Sequence, residues 1–317
     1  MRTDPPTLVV GARGLLGSAV RRRAAVRGLT SVPASVDWSE PSSAVHDLSI
    51  AVDELLRDGG DGRWNLVWAA GAGVTASTDD ALGAENAVMQ GFVDDLVRRH
   101  PHALRRCTLF FASSAGGVYA GAGEAPFTER TLPAPLAPYG RAKLVAESIF
   151  SGLSEHGASV VLGRISNLYG PGQNLAKPQG LISQLCLAHH LARPIGIYVS
   201  LDTLRDYIYV DDCADLVLDV LDRAVDHDPG RGPVTKILAS QSSVTIAAII
   251  GELRTIYKRK PQAVLAASPL GARQARDLRF RSLVWPDLDA RALTPLPVGI
   301  AATGEDIGRA LRRRGPS

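Results

Sequence analysis

Tyr139 and Lys143 stand four residues apart in Tyr-Gly-Arg-Ala-Lys, at the head of a helical pattern. Residues at that spacing share one face of a helix. An ammonium beside a phenol favours the phenolate, which suits the hydroxyl to act as a general acid or base near neutral pH. Upstream, Ser113-Ser114 closes the apolar run Thr108-Leu109-Phe110-Phe111-Ala112. A hydroxyl at the end of a buried parallel strand is placed to bind the oxygen that the tyrosine protonates or deprotonates. The competing reading makes Ser113-Ser114 turn chemistry and Tyr139 a helix-start aromatic.

A second constellation lies at the N-terminus. Gly11-Ala12-Arg13-Gly14-Leu15-Leu16-Gly17 follows the strand-like Thr7-Leu8-Val9-Val10 and opens a helix. This is the context in which a G-x-x-G-x-x-G loop carries meaning. The first glycine permits the turn, the second lets backbone approach a pyrophosphate, and the third packs helix against strand. Phosphates then meet the positive end of the helix. An acidic residue that would bind ribose hydroxyls is expected near Ala34-Ser35, and neither is acidic; Asp37 comes slightly later. Arg13 lies inside the loop, where a guanidinium reaches a 2′-phosphate. NADP is therefore expected, with NAD second, and Asp47-Leu48 is expected at the adenine edge. The alternative for Arg13 is a surface arginine on a turn.

These residues need a scaffold, and the sequence supplies one. Asn65-Leu66-Val67-Trp68-Ala69-Ala70 and Ser159 to Ile165 are further buried-strand runs. A short second strand spans roughly Leu29 to Pro33, and another strand lies near Lys236-Ile237-Leu238. Helical segments are expected from about Leu15 to Arg27, Asp79 to His100, Tyr139 to His156 and Asp211 to Val225. Continuous apolar strands alternating with helices predict an α/β doubly wound parallel sheet of the Rossmann type. Residues 1–170, with returning segments about 205–255, form the expected dinucleotide-binding domain. Residues 171–204 and 256–317 form a smaller, loop-rich, substrate-binding lobe.

Composition narrows the field. Thirty-five basic against 32 acidic residues leave a net charge of +3, too small to point to nucleic acid. The runs Arg21-Arg22-Arg23 and Arg312-Arg313-Arg314 read as a solvated helix end and a loose tail. Cys107, Cys186 and Cys213 are far apart, so neither a metal site nor a disulfide scaffold is expected. His189-His190, neighbours on a helix, point apart and read as chance. No apolar window spans a bilayer and no secretory signal is visible, so a cytoplasmic protein is expected.

The chain resembles the extended short-chain dehydrogenase/reductases, the group holding sugar-nucleotide epimerases, dehydratases and reductases. The resemblance rests on the glycine loop, Asn86 in Glu85-Asn86-Ala87-Val88, Ser113-Ser114-Ala115-Gly116-Gly117-Val118-Tyr119 and Tyr139-x-x-x-Lys143. It continues through Asn167-Leu168-Tyr169-Gly170-Pro171-Gly172 and Arg205-Asp206-Tyr207-Ile208-Tyr209-Val210-Asp211-Asp212. It implies Tyr139 as the acid/base and Lys143 as its partner. Counting back from Tyr139 selects Ser114 as the catalytic hydroxyl, with Ser113 as substitute. The resemblance also implies substrate contacts from Ser113, Ser114, Asn167 and Arg205, the last on a diphosphate; a structural ion pair of Arg205 with Asp202 or Asp206 is the alternative. A further arginine of the family matches Arg273 or Arg276. Expected dinucleotide contacts are Gly11, Arg13, Gly14, Leu15, Leu16, Gly17, Ser35, Asp47, Leu48, Ala69, Ala70, Gly71, Asn86, Tyr139 and Lys143.

Small residues follow Ser114 where the family's dehydratases carry an Asp-Glu pair, which disfavours water elimination. Reduction of a keto group on a nucleotide sugar leads; an epimerase with tightly held NAD is second, and a non-catalytic dinucleotide sensor third. The resemblance also implies a homodimer through the helices beginning near Asn86 and Tyr139, with Val88, Phe92, Leu96, Leu144 and Ile149 as the apolar positions; ordinary core against the sheet is the alternative for them.

Overall fold

The computed structural model describes residues 4–71, 73, 78–176, 179–259, 262–266 and 275–314. The chain opens with β1 (Thr7–Val10), α1 (Leu15–Val26), β2 (Ser31–Pro33), α2 (Pro41–Gly59) and β3 (Trp64–Trp68). It continues with α3 (Asp79–Arg99), α4 (Pro101–Leu104), β4 (Cys107–Ser114), α5 (Ala115–Tyr119), α6 (Pro138–Ser151), β5 (Ser159–Ile165) and β6 (Asn167–Tyr169). Then come α7 (Leu181–His190), β7 (Ile195–Ile197), β8 (Leu204–Arg205), β9 (Tyr207–Tyr209), α8 (Val210–Ala224), β10 (Val234–Leu238) and β11 (Val244–Thr245). The last elements are α9 (Ile246–Tyr257), β12 (Ala263–Leu265), β13 (Asp277–Leu278), α10 (Pro286–Asp289) and α11 (Leu296–Arg314).

Six strands form one sheet in the order β10-β5-β4-β3-β1-β2, parallel throughout. Every residue of β1, β3 and β5 is buried, which is why these strands read as unbroken apolar runs. One face packs Leu66, Trp68, Phe92, Phe111 and Phe150 with α2, α3 and α6. The other packs Val9, Val67 and Phe110 against α1 and α8. Gly163 lies where a side chain would strike Phe110, a Cβ there falling 2.1 Å from the ring. Strand order reverses between β1 and β3, and open sheets of this kind bind ligands in the crevice at that point.

Beyond β6 the chain builds a separate core from α7, α9 and α11 around Leu185, Ile249, Leu253 and Ile300. Small sheets β11-β8-β13 and β12-β7 lie in the same part of the chain. Lys236 of β10, fully buried, holds this part to the main sheet by bonding Asp289 at 2.9 Å, Ser282 at 2.9 Å and the Val284 carbonyl at 2.8 Å.

Several sequence expectations need correction. Helix α2 was not expected, although Ala44, Leu48, Val52 and Leu55 form a buried stripe along it. Arg21-Arg22-Arg23 is no solvated helix end: Arg22 pairs with Asp211 and Arg23 with Asp215, joining α1 to α8. Arg312-Arg313-Arg314 ends α11 rather than forming a loose tail. His189 stacks on Tyr257 with ring centroids 3.8 Å apart, and His190 bonds the Gly304 carbonyl at 2.8 Å, so the pair packs helices together. Val88, Phe92 and Leu96 are buried in the core, so the stripe faces the sheet and cannot face a partner. Leu144 and Ile149 are partly buried against core clusters. The outer groove of α3 and α6 is lined by Gln90, Asp94, Arg98 and Ser148 together with Val97, Val145 and Ile149, so Ile149 alone of the expected positions reaches it. Among the described residues no helix is long and apolar enough to cross a membrane.

Candidate active site

The glycine loop joins β1 to α1 at the order reversal. Gly11 has φ +83°, and a Cβ there would lie 2.5 Å from the Ala70 nitrogen. A Cβ on Gly17 would lie 2.3 Å from the Gly11 carbonyl oxygen. The loop, the head of α1 and the end of β3 at Ala69–Gly71 therefore meet as bare backbone. Gly14 caps α1 and has no side chain to satisfy the first-turn amides. A helix end without a capping side chain suits an anion such as a pyrophosphate. Arg13 beside it is exposed; Leu15 is half-buried and Leu16 buried, so at Leu16 only backbone is available to a ligand.

Ser35 is exposed on the loop after β2. At Asp47-Leu48 the Leu48 side chain has no surface to offer an adenine. Leu48 is fully buried in the core on α2, and the Asp47 carboxylate accepts the Asp37 N–H at 2.8 Å. The Asp37 carboxyl, fully exposed, is held low by hydrogen bonds from Ser39.

The second group gathers at the end of β4. Lys143 Nζ donates to the Ala112 carbonyl at 3.1 Å and lies 5.8 Å from the Tyr139 ring centroid and 5.1 Å from that of Phe111. Ser114 Oγ accepts the Gly117 N–H at 3.1 Å and caps α5. A Cβ on Gly117 would lie 3.1 Å from two Tyr139 ring carbons and 3.2 Å from Ser114 Oγ. Tyr139 and Ser114 thus flank the same glycine. Gly140 brings α6 down on α5, its notional Cβ 2.1 Å from the Gly117 oxygen. Asn86 Nδ2 donates to the Ala142 carbonyl at 3.3 Å, bracing α3 against the turn that carries Lys143.

Ser113 is a correction. Adjacent strand residues face opposite ways, and Ser113, 5% exposed, donates to Glu147 at 2.5 Å in the core. It has no surface to offer a substrate, so Ser114 alone remains. Sequence reasoning missed Glu147, Arg164 and Tyr119, which surround Ser113. It also missed Glu85, whose Oε2 lies 3.9 Å from a notional Gly71 Cβ that is 3.7 Å from Lys143 Nζ. Glu147 was traceable, standing one helical turn beyond Lys143 on the same face.

The third group stands on β6, β8 and β9. Asn167 pairs in register with Tyr207, and its Nδ2 donates to the Asp206 carbonyl at 2.8 Å. Arg205 is 8% exposed, and its Nη1 donates to the Leu204 carbonyl at 2.8 Å. Among the described residues no carboxylate forms an ion pair with it. Asp202 pairs with Arg276, and the fully buried Asp206 accepts the Ser240 N–H and hydroxyl. Neither aspartate is thus the expected structural partner of Arg205. Burial pushes the Arg205 guanidinium below its ordinary value, only partly offset by Tyr207 and Asp277. Arg273 lies outside the described residues.

Comparison with known proteins gives a consistent family. The model of the NAD-dependent epimerase/dehydratase family matches residues 7–232. A dTDP-4-dehydro-6-deoxyglucose reductase of Escherichia coli is 38% identical over 106 residues, 33% of this chain and 33% of that one. A dTDP-L-rhamnose 4-epimerase of Burkholderia thailandensis is 30% identical over 116 residues, 35% of this chain and 32% of that one. The matched segment thus spans about a third of each curated relative. The UDP-glucose 4-epimerase of Thermotoga maritima, solved with UDP-glucose, superposes with TM-score 0.79 at 18% identity over 96% of this chain and 99% of that one. The UDP-glucose 4-epimerase of Thermus thermophilus, solved with NAD, gives 0.78 at 19% identity over 98% and 100%. These superpositions show the Rossmann-type fold.

Proposed function

The chain belongs to the NAD-dependent epimerase/dehydratase family, and from that premise we propose that it reduces a keto group on a nucleotide-activated sugar with NADPH. The observation that carries the reading is the convergence of the Tyr139 ring, Lys143 and Ser114 Oγ around Gly117 and the end of β4. A bound nicotinamide dinucleotide supplies the hydride, and the glycine loop and the uncapped end of α1 suit its diphosphate. Tyr139 gives the proton to the substrate oxygen as the carbonyl becomes an alcohol. Ser114 accepts from the Gly117 amide, so its own O–H is directed to the same oxygen. Lys143, fixed on Ala112, keeps positive charge beside the phenolate that remains. Arg205 grips the substrate diphosphate, since a buried guanidinium with no ion pair among the described residues calls for an anion. Asn167 lines the cleft beside it. Arg13 favours NADP through its 2′-phosphate.

The second reading, a nucleotide-sugar epimerase with tightly held NAD, is favoured by the dTDP-L-rhamnose 4-epimerase match. It uses the same residues in both directions of hydride transfer. Incubation with dTDP-4-dehydro-6-deoxyglucose and a panel of UDP-sugars separates the two. Stoichiometric NADPH oxidation with product alcohol supports the reductase. Interconversion of sugars without net consumption of dinucleotide supports the epimerase. We further infer that the chain self-associates through the outer faces of α3 and α6, where Val97, Val145 and Ile149 lie among polar residues; a monomer by light scattering at micromolar concentration overturns that.

A further inference from the structure

Behind the Tyr139–Lys143 face of α6 lies a closed group of four polar side chains. Ser113 Oγ donates to Glu147 Oε1 at 2.5 Å. Arg164 Nε donates to the same oxygen at 3.0 Å and Nη2 to Oε2 at 2.6 Å. Arg164 Nη1 donates to the Tyr119 hydroxyl at 2.5 Å. None of the four is more than 7% exposed, and Tyr119 is fully buried. Nothing assigned to the reaction uses them.

Their placement is specific. Glu147 follows Lys143 by one helical turn and Tyr139 by two, so the three share a face of α6. Ser113 stands between Ala112, whose carbonyl takes Lys143, and Ser114, which meets Tyr139 across Gly117. Arg164 comes from β5, the strand leading to Asn167, and Tyr119 from α5. The network therefore joins every element that carries a reacting group on this side of the cleft.

A buried ion pair is a poor device for stability, because desolvation consumes most of the attraction. Apolar contacts such as Phe111 on Phe150, centroids 4.9 Å apart, set the spacing of α6 from β4. They are weakly directional along the helix axis. A bidentate guanidinium–carboxylate pair is directional and fixes register. Proton transfer needs that register, since acid and acceptor must be within hydrogen-bond reach.

We propose that Ser113, Glu147 and Arg164 are positioning residues. They lock α6 against β4 and β5 so that the Tyr139 and Ser114 hydroxyls converge on one substrate oxygen. They touch neither substrate nor dinucleotide. The proposal rests on the Tyr139–Lys143 reading of the site.

The test uses the full chain with Ser113→Ala, Tyr119→Phe, Glu147→Met and Arg164→Met combined, so that no charge is left buried alone. Replacing a buried pair with apolar residues of similar volume generally preserves stability. The combined variant is expected to keep its melting midpoint and its affinity for NADPH. Its kcat should fall by about tenfold to a hundredfold, with KM for dTDP-4-dehydro-6-deoxyglucose little changed. Ser113→Ala alone cuts only the link to β4 and should lose kcat in the same sense, with Ser113→Thr restoring it. Crystal structures of wild type and combined variant give a reading that needs no substrate: Tyr139 and Ser114 should separate by about 1 Å. Undiminished kcat, or an unmoved Tyr139, overturns the proposal. If the combined variant does not fold, Ser113→Ala decides by the same two criteria. Tyr139→Phe run in parallel separates the failures: if it too keeps its turnover, the catalytic reading has failed, and otherwise only the positioning role has.

Discussion

Arg164 and Arg205 are equally buried, at 7% and 8% exposed, yet they are treated in opposite ways. Arg164 ends against Glu147 and Tyr119 on the β4–α6 side of the cleft. Burial alone would lower its guanidinium, but the hydrogen bonds and charge of Glu147 outweigh it, and the group is raised. Arg205, on β8, has a backbone carbonyl and no ion pair among the described residues, and burial lowers it. A buried cation with its anion built in is part of the frame. A buried cation without one is a socket for an anion that arrives from outside. On the proposed reading, the completed pair belongs to the frame around Tyr139 and the incomplete one to the substrate's diphosphate.

The largest effect should come from breaking the completed pair. Arg164→Met leaves the Glu147 carboxylate buried without its cation, held only by the Ser113 hydroxyl, and should cost about 3–5 kcal/mol in denaturant unfolding. A loss below about 1 kcal/mol would mean that the two arginines are not different in kind. The mirror change, Arg205→Met, removes a desolvated charge that has no ion-pair partner among the described residues. Its unfolding free energy should stay the same or rise, while KM for the nucleotide sugar rises about tenfold to a hundredfold, the worth of charged hydrogen bonds. NADPH affinity should hold. Early melting with loss of NADPH binding would instead make Arg205 structural. A smaller effect sharpens the contrast: with the glycine loop already saturated by NADP, inorganic pyrophosphate should raise the melting midpoint of the wild type and not of Arg205→Met. Smallest of all, the exposed Arg13 should give only about a threefold to tenfold loss of NADP affinity on change to Ala, with NAD unaffected, because solvent screens it. Equal loss for both dinucleotides would remove Arg13 from cofactor choice.

What the sequence disclosed follows the same division. The parallel sheet was legible because strands buried on both faces are apolar without interruption, and the glycine loop because its spacing answers to close backbone approach. Tyr139 and Lys143 were legible as a helical pair. Ser113 and Ser114 could not be told apart, because facing depends on strand phase at the last two residues of β4. Val88, Phe92 and Leu96 announce an apolar stripe, but periodicity does not say whether a sheet or a second chain covers it. The stripe of α2 was readable, for Ala44, Leu48, Val52 and Leu55 recur at helical spacing. Glu147 and Arg164 were out of reach as a pair, for only tertiary structure joins a helix to the strand 17 residues beyond it.

The central claim is that Tyr139 is the proton donor on this frame. Single-turnover reduction of the sugar nucleotide, with NADPH binding measured separately, tests it in Tyr139→Phe, which removes one hydroxyl and keeps the ring against Gly117. The account predicts a rate at least about a hundredfold lower with NADPH affinity within about twofold of the wild type. Turnover near that of the wild type, with product formed at the same rate, would contradict it.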